Sequence, residues 1–509
     1  MHGSSDKFIA SVDQGTTSTR VVVFDQEGRV VVFHQEFFSQ LRPQPGWHEQ
    51  DPEDLFCSVT KCIERCLEKL EEKGFNATQI VSLGITNQRE TVVVWDTLTG
   101  KPLCHAVVWG DVRTAALVRE FEDSPGSNDI QTKTGLPLST YSSALKLVWL
   151  LRHDGAVRAA YYTGRLAFGT VDTWLVYKLN GGPSADVLAT DSTNASRTGF
   201  MNLQSRQYDA DLLKFYSIDF DFRNIQMPTI YPSSHPSAFG KVCFGGLQGV
   251  PITACLGDQS AALIGHKGFK DGSAKCTFGT GCFLLYNTGK KPVYSTHGLL
   301  TTLTYDFGDD YAYALEGSIA TAGSGVNFLV ENLGFGETPG EVSALAGSVV
   351  DSGGVVFVTA FSGLFAPYWI DNAQGTIFGI TMNTQRAHIA RAVLEAVSLP
   401  TSYWFFQLTN LVGRQVSFQS RAVLNAMALD SGIDLGRLGV DGGLSQSDVC
   451  MQLQADIVEV DIVRPSMCEV TALGACFAAG LGVGLWKNPA ELEKVQRSEP
   501  PTIFRAQMD

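Results

Sequence analysis

An aspartate followed by a turn of small residues is the first place in this chain that could do chemistry. In DQGTTSTR, residues 13–20, Asp13 ends an apolar strand, and Gly15 and several hydroxyl side chains follow it. Glycine lets the backbone approach a bulky anion, and the N–H groups and hydroxyls of such a turn form an anion nest. Because two negative groups repel each other, we expect Asp13 to hold Mg²⁺ through water. A polar hairpin turn without a ligand explains this motif, taken alone, equally well.

Two other glycine turns fit the same interpretation. FGTG, residues 278–281, lies between two predicted strands, and Gly442 and Gly443 follow a third strand in VDGGLSQSD, residues 440–448. Each turn is a weak signal alone, but the three together favour a protein that binds the phosphates of a nucleotide from two sides. The sequence has neither a Walker loop nor the protein-kinase set of motifs.

Two opposite charges interrupt the apolar run ITNQRETVVVW, residues 85–95, at Arg89 and Glu90. Neighbouring residues of a regular strand point to opposite faces, so the two charges cannot satisfy each other there. A buried pair would lie where the strand ends or bulges and would reach one polar ligand. The donors of arginine and the acceptors of glutamate suit a vicinal diol. On composition alone, a solvated surface loop is the favoured interpretation.

Asp258 is the candidate general base. It follows the predicted strand ITACLG and precedes a helix in LGDQSAALIGH, residues 256–266. A carboxylate at that point can accept a proton from a hydroxyl that attacks a γ-phosphorus. The alternative is that Asp258 only caps the helix, and capping aspartates are much commoner than catalytic ones.

The elements that must position these residues form two similar halves. Residues 8–38 predict three strands joined by tight turns, and Pro52 opens an amphipathic helix. Residues 274–289 predict a second hairpin of the same plan. Each hairpin heads a half-chain of about 250 residues, which indicates duplicated α/β domains. Further helices are predicted at 143–155, 386–411 and 447–457.

The composition excludes several classes of protein. A chain of 509 residues is too long for one ordinary core. Its net charge of −14 argues against a nucleic-acid binder, so an anionic ligand must be held locally. The eleven scattered cysteines form no CxxC pair and indicate a reducing compartment. No apolar signal segment opens the chain, and 472–486 is too short and glycine-rich to span a bilayer.

Nine motifs together resemble the glycerol kinase branch of the FGGY carbohydrate kinase family, from about residue 8 to 487. They are DQGTTSTR, ITNQRET, DSTNASRTGF (191–200), LGDQSAAL, FGTGCF, YALEG (313–317), FAPYW (365–369), VDGGLSQSD and EVTALGA (469–475). NQRET is typical of glycerol kinases rather than of xylulose or ribulose kinases. The resemblance implies the hexokinase/actin/heat-shock ATPase fold. We therefore expect an α/β protein of two duplicated ribonuclease H-like domains, with mixed sheets flanked by helices and the active site in the interdomain cleft.

The resemblance also implies a reaction and its residues. The reaction is ATP-dependent phosphorylation of glycerol to sn-glycerol 3-phosphate, with Asp258 as general base and Asp13 organising Mg²⁺. The implied glycerol residues are Arg89, Glu90, Trp109, Tyr141, Asp258, Gln259 and Phe283. The implied ATP residues are Thr16, Thr17, Ser18, Arg20, Thr280, Gly281, Asn327, Gly442, Gly443 and Ser447. The glycerol site and base would lie in residues 1–266, and the ATP site mainly in 267–509.

The resemblance carries further expectations and leaves alternatives. It implies a homo-oligomer, expected to be a dimer, and the reducing compartment indicated by the cysteines leads us to expect a cytoplasmic enzyme. The loop FGGLQGVPI, residues 244–252, lacks the Gly-Thr-Arg-Ile-Pro element that bacterial enzymes use for fructose 1,6-bisphosphate, which predicts no such inhibition. Gly110, Asn327, Gln374 and Ser447 depart from the family pattern and leave the nucleotide preference open. The alternatives are a kinase for another small polyol or ketose, and a catalytically inactive nucleotide-binding scaffold.

Overall fold

The computed structural model describes most of the chain. The described ranges are 6–185, 187–217, 219–279, 281–319, 321–361, 363–370, 373–398, 419–433, 435–495 and 499–507. Thr280, one of the predicted ATP residues, lies outside these ranges, as do residues 399–411 of the predicted helix.

The chain forms two compact units, and neither is one continuous stretch. The first unit contains residues 1–269, 302–313 and 469–498, and the second contains 270–301, 314–468 and 499–509. The predicted halves, 1–266 and 267–509, differ from these units because two segments of the second half pack with the first. The roles assigned to the two halves stay predictions.

The strands of the described residues follow the predicted plan at both hairpins. In chain order they are β1 (Phe8–Gln14), β2 (Ser18–Phe24), β3 (Val30–Phe37), β4 (Glu49–Gln50), β5 (Ile80–Asn87), β6 (Val93–Asp96), β7 (Ala106–Val107), β8 (Leu166–Gly169), β9 (Ala189–Asp191), β10 (Met201–Asn202), β11 (Gln207–Tyr208), β12 (Thr229–Tyr231), β13 (Ile252–Gly257), β14 (Ala274–Phe278), β15 (Cys282–Gly289), β16 (Leu300–Asp306), β17 (Tyr311–Ile319), β18 (Val356–Val358), β19 (Thr376–Phe378), β20 (Arg437–Asp441), β21 (Asp461–Arg464) and β22 (Thr502–Phe504).

The helices confirm the predicted ones over the residues that the structure describes. They are α1 (Pro52–Glu72), α2 (Ala115–Glu122), α3 (Ser127–Thr134), α4 (Ser143–His153), α5 (Gly155–Tyr162), α6 (Val171–Leu179), α7 (Ser192–Ala195), α8 (Ala210–Tyr216), α9 (Asp258–Gly265), α10 (Gly323–Glu331), α11 (Pro339–Gly347), α12 (Arg386–Ser398), α13 (Gln419–Ser431), α14 (Asp448–Val458), α15 (Val470–Gly482) and α16 (Pro489–Lys494). Within the described ranges, none of these helices is long and apolar enough to cross a membrane.

The main sheet of the first unit has the strand order β13-β5-β1-β2-β3. The pairs β1–β2 and β2–β3 are antiparallel, whereas β1–β5 and β5–β13 are parallel. Helix α1 packs against β2 and β3, and α15 packs against β1, β5 and β13. Every residue of β1 is buried, as expected for a strand whose sheet is covered by helices.

The second unit repeats this pattern. Its sheet has the order β16-β17-β15-β14-β20-β21-β22. The pair β14–β15 is antiparallel, and β14–β20 and β20–β21 are parallel, as in β1–β2, β1–β5 and β5–β13. The same directions in the same order confirm the predicted duplication of a mixed α/β sheet.

Helix α15 carries the EVTALGA motif and lies directly against α9. A Cβ atom at Gly474 would lie 1.8 Å from the carbonyl oxygen of Ala261, and one at Gly265 would lie 2.0 Å from that of Val470. Only glycine permits two helix backbones to approach this closely. The motif therefore fixes α9, the helix that begins at Asp258.

Candidate functional site

Arg89 and Glu90 are buried beyond the end of a strand. Strand β5 ends at Asn87 and β6 begins at Val93, which confirms that the pair lies where the strand ends. Arg89 is 3% exposed and Glu90 is 2% exposed. The interpretation as a solvated surface loop is therefore wrong, because burial of two charges requires partners for both.

The two charges have separate partners. Arg89 Nε lies 3.1 Å from Asp258 Oδ1. Arg197 Nε donates to Glu90 Oε1 at 2.5 Å, and the Arg197 side chain is fully buried. Glu90 has a φ of 60°, in the left-handed region that glutamate rarely adopts. Such strain persists where surrounding contacts fix the backbone, and it concentrates at functional sites.

Asp258 is the first residue of α9, and Gly257 occupies the capping position. The alternative in which Asp258 caps the helix is therefore wrong. Its Oδ1 atom accepts a hydrogen bond from the backbone N–H of Gln259 at 2.7 Å. The Asp258 side chain remains 28% exposed, in contrast to its partner Arg89. The carboxylate thus lies at the positive end of a helix and remains open to a ligand.

Trp109 and Tyr141 lie beside these charges. Their ring centroids are 5.7 Å apart in an edge-to-face arrangement, and the Arg197 guanidinium lies 5.7 Å from the Tyr141 ring centroid. The Trp109 indole N–H donates to Thr16 Oγ1 at 3.0 Å, so this ring contacts the turn of the first hairpin. Hereafter, the acceptor cluster means Arg89, Glu90, Trp109, Tyr141, Asp258 and Gln259, all of which lie in the first unit.

Lys146 supports Tyr141 from within the core. Its Nζ atom donates to the carbonyl oxygens of Thr140 and Tyr141 at 2.8 and 2.9 Å. Burial lowers the pKa of Lys146 to about 8, and the nearby carboxylate of Glu90 opposes part of that fall. Sequence reasoning did not select this lysine, because it stands in an apolar helical pattern.

The first turn is held by glutamines. The backbone N–H of Gly15 donates to the carbonyl oxygen of Ser18 at 3.0 Å. Gln88 Nε2 donates to the Gly15 carbonyl at 3.2 Å, and Gln50 Nε2 donates to the Thr16 carbonyl at 2.6 Å. Of the predicted phosphate residues here, Thr17 is exposed. Ser18 is buried, and its hydroxyl accepts a bond from the Gln35 side chain at 2.8 Å.

Asp13 and Arg20 pair across the first hairpin. They are register partners in β1 and β2. Arg20 Nη1 lies 3.9 Å from Asp13 Oδ2 and 3.8 Å from Glu469 Oε2. In the part of the chain that the structure describes, no group of three or more His, Cys, Asp or Glu side chains could hold a metal. A single carboxylate suits Mg²⁺ bound mainly by water and phosphate oxygens, and Asp13 fits that role.

A separate cavity of about 630 Å³ lies within the second unit. Three predicted ATP residues, Asn327, Gly443 and Ser447, line it. The other lining residues are Phe278, Gly279, Gly323, Val326, Pro339, Gly340, Ser343, Ala344, Leu444, Gln446, Asp448 and Val449. Its walls are mostly apolar and glycine-rich, as expected for a pocket that takes a flat ring.

The loop at Gly442 requires glycine. Gly442 has a φ of 89°, and a Cβ atom there would lie 2.5 Å from the carbonyl oxygen of Phe278. This close approach joins the end of β20 to the end of β14, the strand that precedes the FGTG turn. Gly281 lies in that turn. Phe283 lies in β15 opposite Thr277, so it belongs to the second unit, unlike the rest of the predicted glycerol residues.

Comparison with known proteins identifies the family. The N-terminal domain model of the FGGY family of carbohydrate kinases matches residues 8–265, and its C-terminal domain model matches 274–483. The chain is 44% identical to a glycerol kinase from Roseiflexus sp., over 96% of this chain and 92% of that one. It is 45% identical to a glycerol kinase from Streptomyces coelicolor, over 95% and 91%.

A solved structure agrees with this result. The crystal structure of Plasmodium falciparum glycerol kinase with ADP superposes with a TM-score of 0.83 at 38% identity, and the match covers 99% of this chain and 95% of that chain. Both halves of the chain therefore match one family in sequence, and nearly the whole length matches in fold. The protein belongs to the FGGY family of carbohydrate kinases.

Proposed function

We propose that this protein transfers the γ-phosphoryl group of ATP to glycerol and releases sn-glycerol 3-phosphate and ADP. The observation that carries the proposal is the buried NQRET segment, in which Arg89 is paired with Asp258 and Glu90 is held by Arg197. The relatives with 44–45% identity over nearly the whole chain are glycerol kinases.

The acceptor cluster supplies binding and proton transfer. Arg89 donates to glycerol hydroxyl oxygens, and Glu90 accepts from glycerol hydroxyls. Asp258 takes the proton of the attacking hydroxyl as the new P–O bond forms. The Trp109 ring covers the carbon chain of glycerol, and Tyr141 supplies a further hydroxyl contact. Phe283 completes the apolar wall in this proposal.

The second unit supplies the nucleotide site. The cavity lined by Asn327, Gly443 and Ser447 takes the adenosine, and the turns at 13–20 and 278–281 hold the phosphates. Mg²⁺, when bound, neutralises charge on the phosphate oxygens, and Asp13 is the residue that would hold it. Arg20 adds a cation at the first turn, where two carboxylates already orient it.

A coupled ADP-release assay tests this proposal against the nearest alternative, a kinase for another polyol or ketose. Glycerol, erythritol, xylulose and dihydroxyacetone are compared at saturating ATP. We expect glycerol to give a kcat/KM at least about tenfold above the others, because the buried charges leave a mismatched hydroxyl unpaired. Faster turnover of erythritol or xylulose would transfer the assignment to that substrate. ADP release unaffected by every acceptor would favour the inactive scaffold.

Three further properties are part of the proposal: the first rests on the family resemblance, the second on the cysteine usage and the third on the loop at 244–252. They are a homodimer, a cytoplasmic location and insensitivity to fructose 1,6-bisphosphate. Sedimentation at micromolar concentration is expected to give twice the monomer mass. Addition of the bisphosphate at saturating ATP is expected to leave the rate unchanged, and a clear loss of rate would contradict that part.

A further inference from the structure

The motif DSTNASRTGF supplies Arg197, which holds Glu90, but the proposed chemistry gives no role to its first residues. Its aspartate, Asp191, ends β9, and the next four residues form α7. Asp191, Asn194 and Arg197 are fully buried. A buried carboxylate at such a point requires several donors and raises the question of what it holds.

Asp191 accepts hydrogen bonds from five donors. The backbone N–H and the hydroxyl of Thr193 donate to Oδ2 at 2.9 and 2.7 Å. The backbone N–H and the side-chain amide of Asn194 donate to Oδ1 at 2.9 and 2.8 Å. The hydroxyl of Ser233 donates to Oδ2 at 2.7 Å. These bonds fix the rotamers of Thr193 and Asn194, which both have a second contact.

Thr193 connects Asp191 to the residue that precedes the candidate base. Its Oγ1 atom accepts a hydrogen bond from the backbone N–H of Gly257 at 2.8 Å, and Gly257 directly precedes Asp258. A Cβ atom at position 257 would lie 2.5 Å from Arg89 Cδ. The Thr193–Gly257 bond therefore sets the start of α9 against the stem of Arg89.

Asn194 is hydrogen-bonded to the neighbours of Arg89 and Glu90. It exchanges two side-chain hydrogen bonds with Asn87, the last residue of β5, at 3.0 and 3.1 Å. Its carbonyl oxygen accepts from the backbone N–H of Arg197 at 3.0 Å, and Arg197 holds Glu90. Residues of the short helix α7 are thus hydrogen-bonded to Gly257 just before the base, to the end of β5 before Arg89, and to Arg197, the partner of Glu90.

We propose that Asp191 is a positioning residue that acts through Thr193 and Asn194 to hold the acceptor cluster in its reactive geometry. The inference rests on the proposed function, since it concerns the same reaction. Because small misplacements of reacting groups are costly in rate, and because supporting hydrogen bonds set that placement, Asp191 affects use of glycerol without touching it.

Asp172 provides a matched control. It is also a fully buried carboxylate, and it accepts hydrogen bonds from the hydroxyls of Thr170 and Thr190. Burial raises the pKa of Asp191 to about 7, and the charge of Asp172 adds to the rise. Burial also raises the pKa of Asp172. Neither Thr170 nor Thr190 shares a described hydrogen bond with Gly257 or Asn87, so Asp172→Asn removes a neighbouring buried carboxylate and leaves the bonds of Asp191 to Thr193 and Asn194 in place.

The experiment compares Thr193→Val and Thr193→Ser with Asp191→Asn and Asp172→Asn in the full-length protein. Kinetic constants are measured by coupled ADP release and divided by the folded fraction from circular dichroism. We expect Thr193→Val to lower kcat/KM for glycerol about tenfold and Asp191→Asn to lower it about tenfold to a hundredfold. Thr193→Ser, which keeps the hydroxyl, and Asp172→Asn should stay within about twofold. The KM for ATP should change less than about twofold throughout.

Several results would overturn the inference. Equal kcat/KM values for glycerol in Thr193→Val and Thr193→Ser would do so. A fall in kcat/KM for Asp172→Asn as large as that for Asp191→Asn would do so too. A parallel rise of both Michaelis constants would indicate a merely structural role. If Asp191→Asn does not fold, the two Thr193 variants decide. A wild-type protein without glycerol-dependent ADP release would instead refute the proposed function, and the positioning role would fall with it.

Discussion

The acceptor cluster of the first unit and the cavity of the second unit are lined by opposite kinds of side chain. In the first unit, the buried charges Arg89 and Glu90 are each fixed by a second charged side chain. In the second unit, the cavity is lined mainly by glycines and apolar side chains, with Asn327 and Ser447 among its few polar groups. A small polyol offers only hydroxyls, so it must be selected by charge and direction. An adenine ring offers a large flat surface and can be selected by shape.

The two regions also depend on different kinds of contact with the residues around them. The charges of Arg89 and Glu90 depend on Asp258, at the start of α9, and on Arg197, just after α7, because an unpaired buried charge is costly. The cavity depends on close backbone approach, as at Gly442, where a side chain would overlap Phe278. We therefore expect isosteric polar substitutions to damage the first region and added volume to damage the second.

Replacing the base should have the largest effect. Asp258→Asn keeps the shape but cannot take the proton, so kcat is expected to fall about 10²–10⁴-fold. The KM for ATP should remain within a few-fold of the wild-type value, because none of the proposed nucleotide contacts is made by Asp258. Asp54→Asn, an acidic residue in the first turn of α1, is the control. A kcat within tenfold of wild type would rule out Asp258 as base.

Glu90→Gln should have the next largest effect. It removes the charge that pairs with Arg197 and, in the proposal, with a glycerol hydroxyl, and a lost charge-assisted hydrogen bond weakens binding by about 1.5–3 kcal/mol. The KM for glycerol should rise about tenfold to a hundredfold, with that for ATP unchanged. Steady-state kinetics with each substrate varied in turn measures both constants. An equal rise in the KM for glycerol and the KM for ATP would contradict a role of Glu90 in the acceptor cluster alone.

Gly443→Val tests the other region. It places a branched side chain in the cavity, since nothing lies within 4 Å of a Cβ atom there. The KM for ATP should rise about tenfold, as for other small steric changes in a pocket, while that for glycerol stays constant. Gly436→Val adds the same volume at another open position of the second unit and should change neither constant.

The smallest effect is expected at the contact between the acceptor cluster and the first turn. Trp109→Phe keeps an aromatic ring but loses the hydrogen bond to Thr16 Oγ1. A neutral hydrogen bond contributes about 0.5–1.5 kcal/mol, so kcat/KM for glycerol should fall about threefold. A hundredfold loss would show that the indole N–H, rather than the ring, is the essential feature.

The sequence predicted the fold well because its signals are local. The hairpins at 8–24 and 274–289 have strands rich in apolar residues and turns of small residues, and both form as expected. The packing of segments 302–313 and 469–498, both from the second half of the chain, with the first unit is not predicted by the sequence. It depends on contacts between residues far apart in sequence, which periodicity does not report.

The candidate site was predicted less completely. Composition favoured a solvated loop for Arg89 and Glu90, because the partners that permit their burial lie far along the chain at Asp258 and Arg197. Lys146, Gln50 and Gln88 were missed because their support acts through backbone carbonyls, which leave no mark in sequence. The motif DSTNASRTGF contributes to the family resemblance, but its contacts with Gly257 and Asn87 join residues far apart in the chain, which the sequence pattern does not predict.

Calorimetric titration of glycerol into the protein without nucleotide tests the central claim most directly. Buried, pre-oriented charges in the first unit should bind one glycerol per chain, with affinity at least about tenfold weaker in Glu90→Gln and unchanged in Gly443→Val. Equal affinity in wild type and Glu90→Gln, or a loss of affinity in Gly443→Val, would contradict the assignment of the acceptor to Arg89, Glu90 and Asp258.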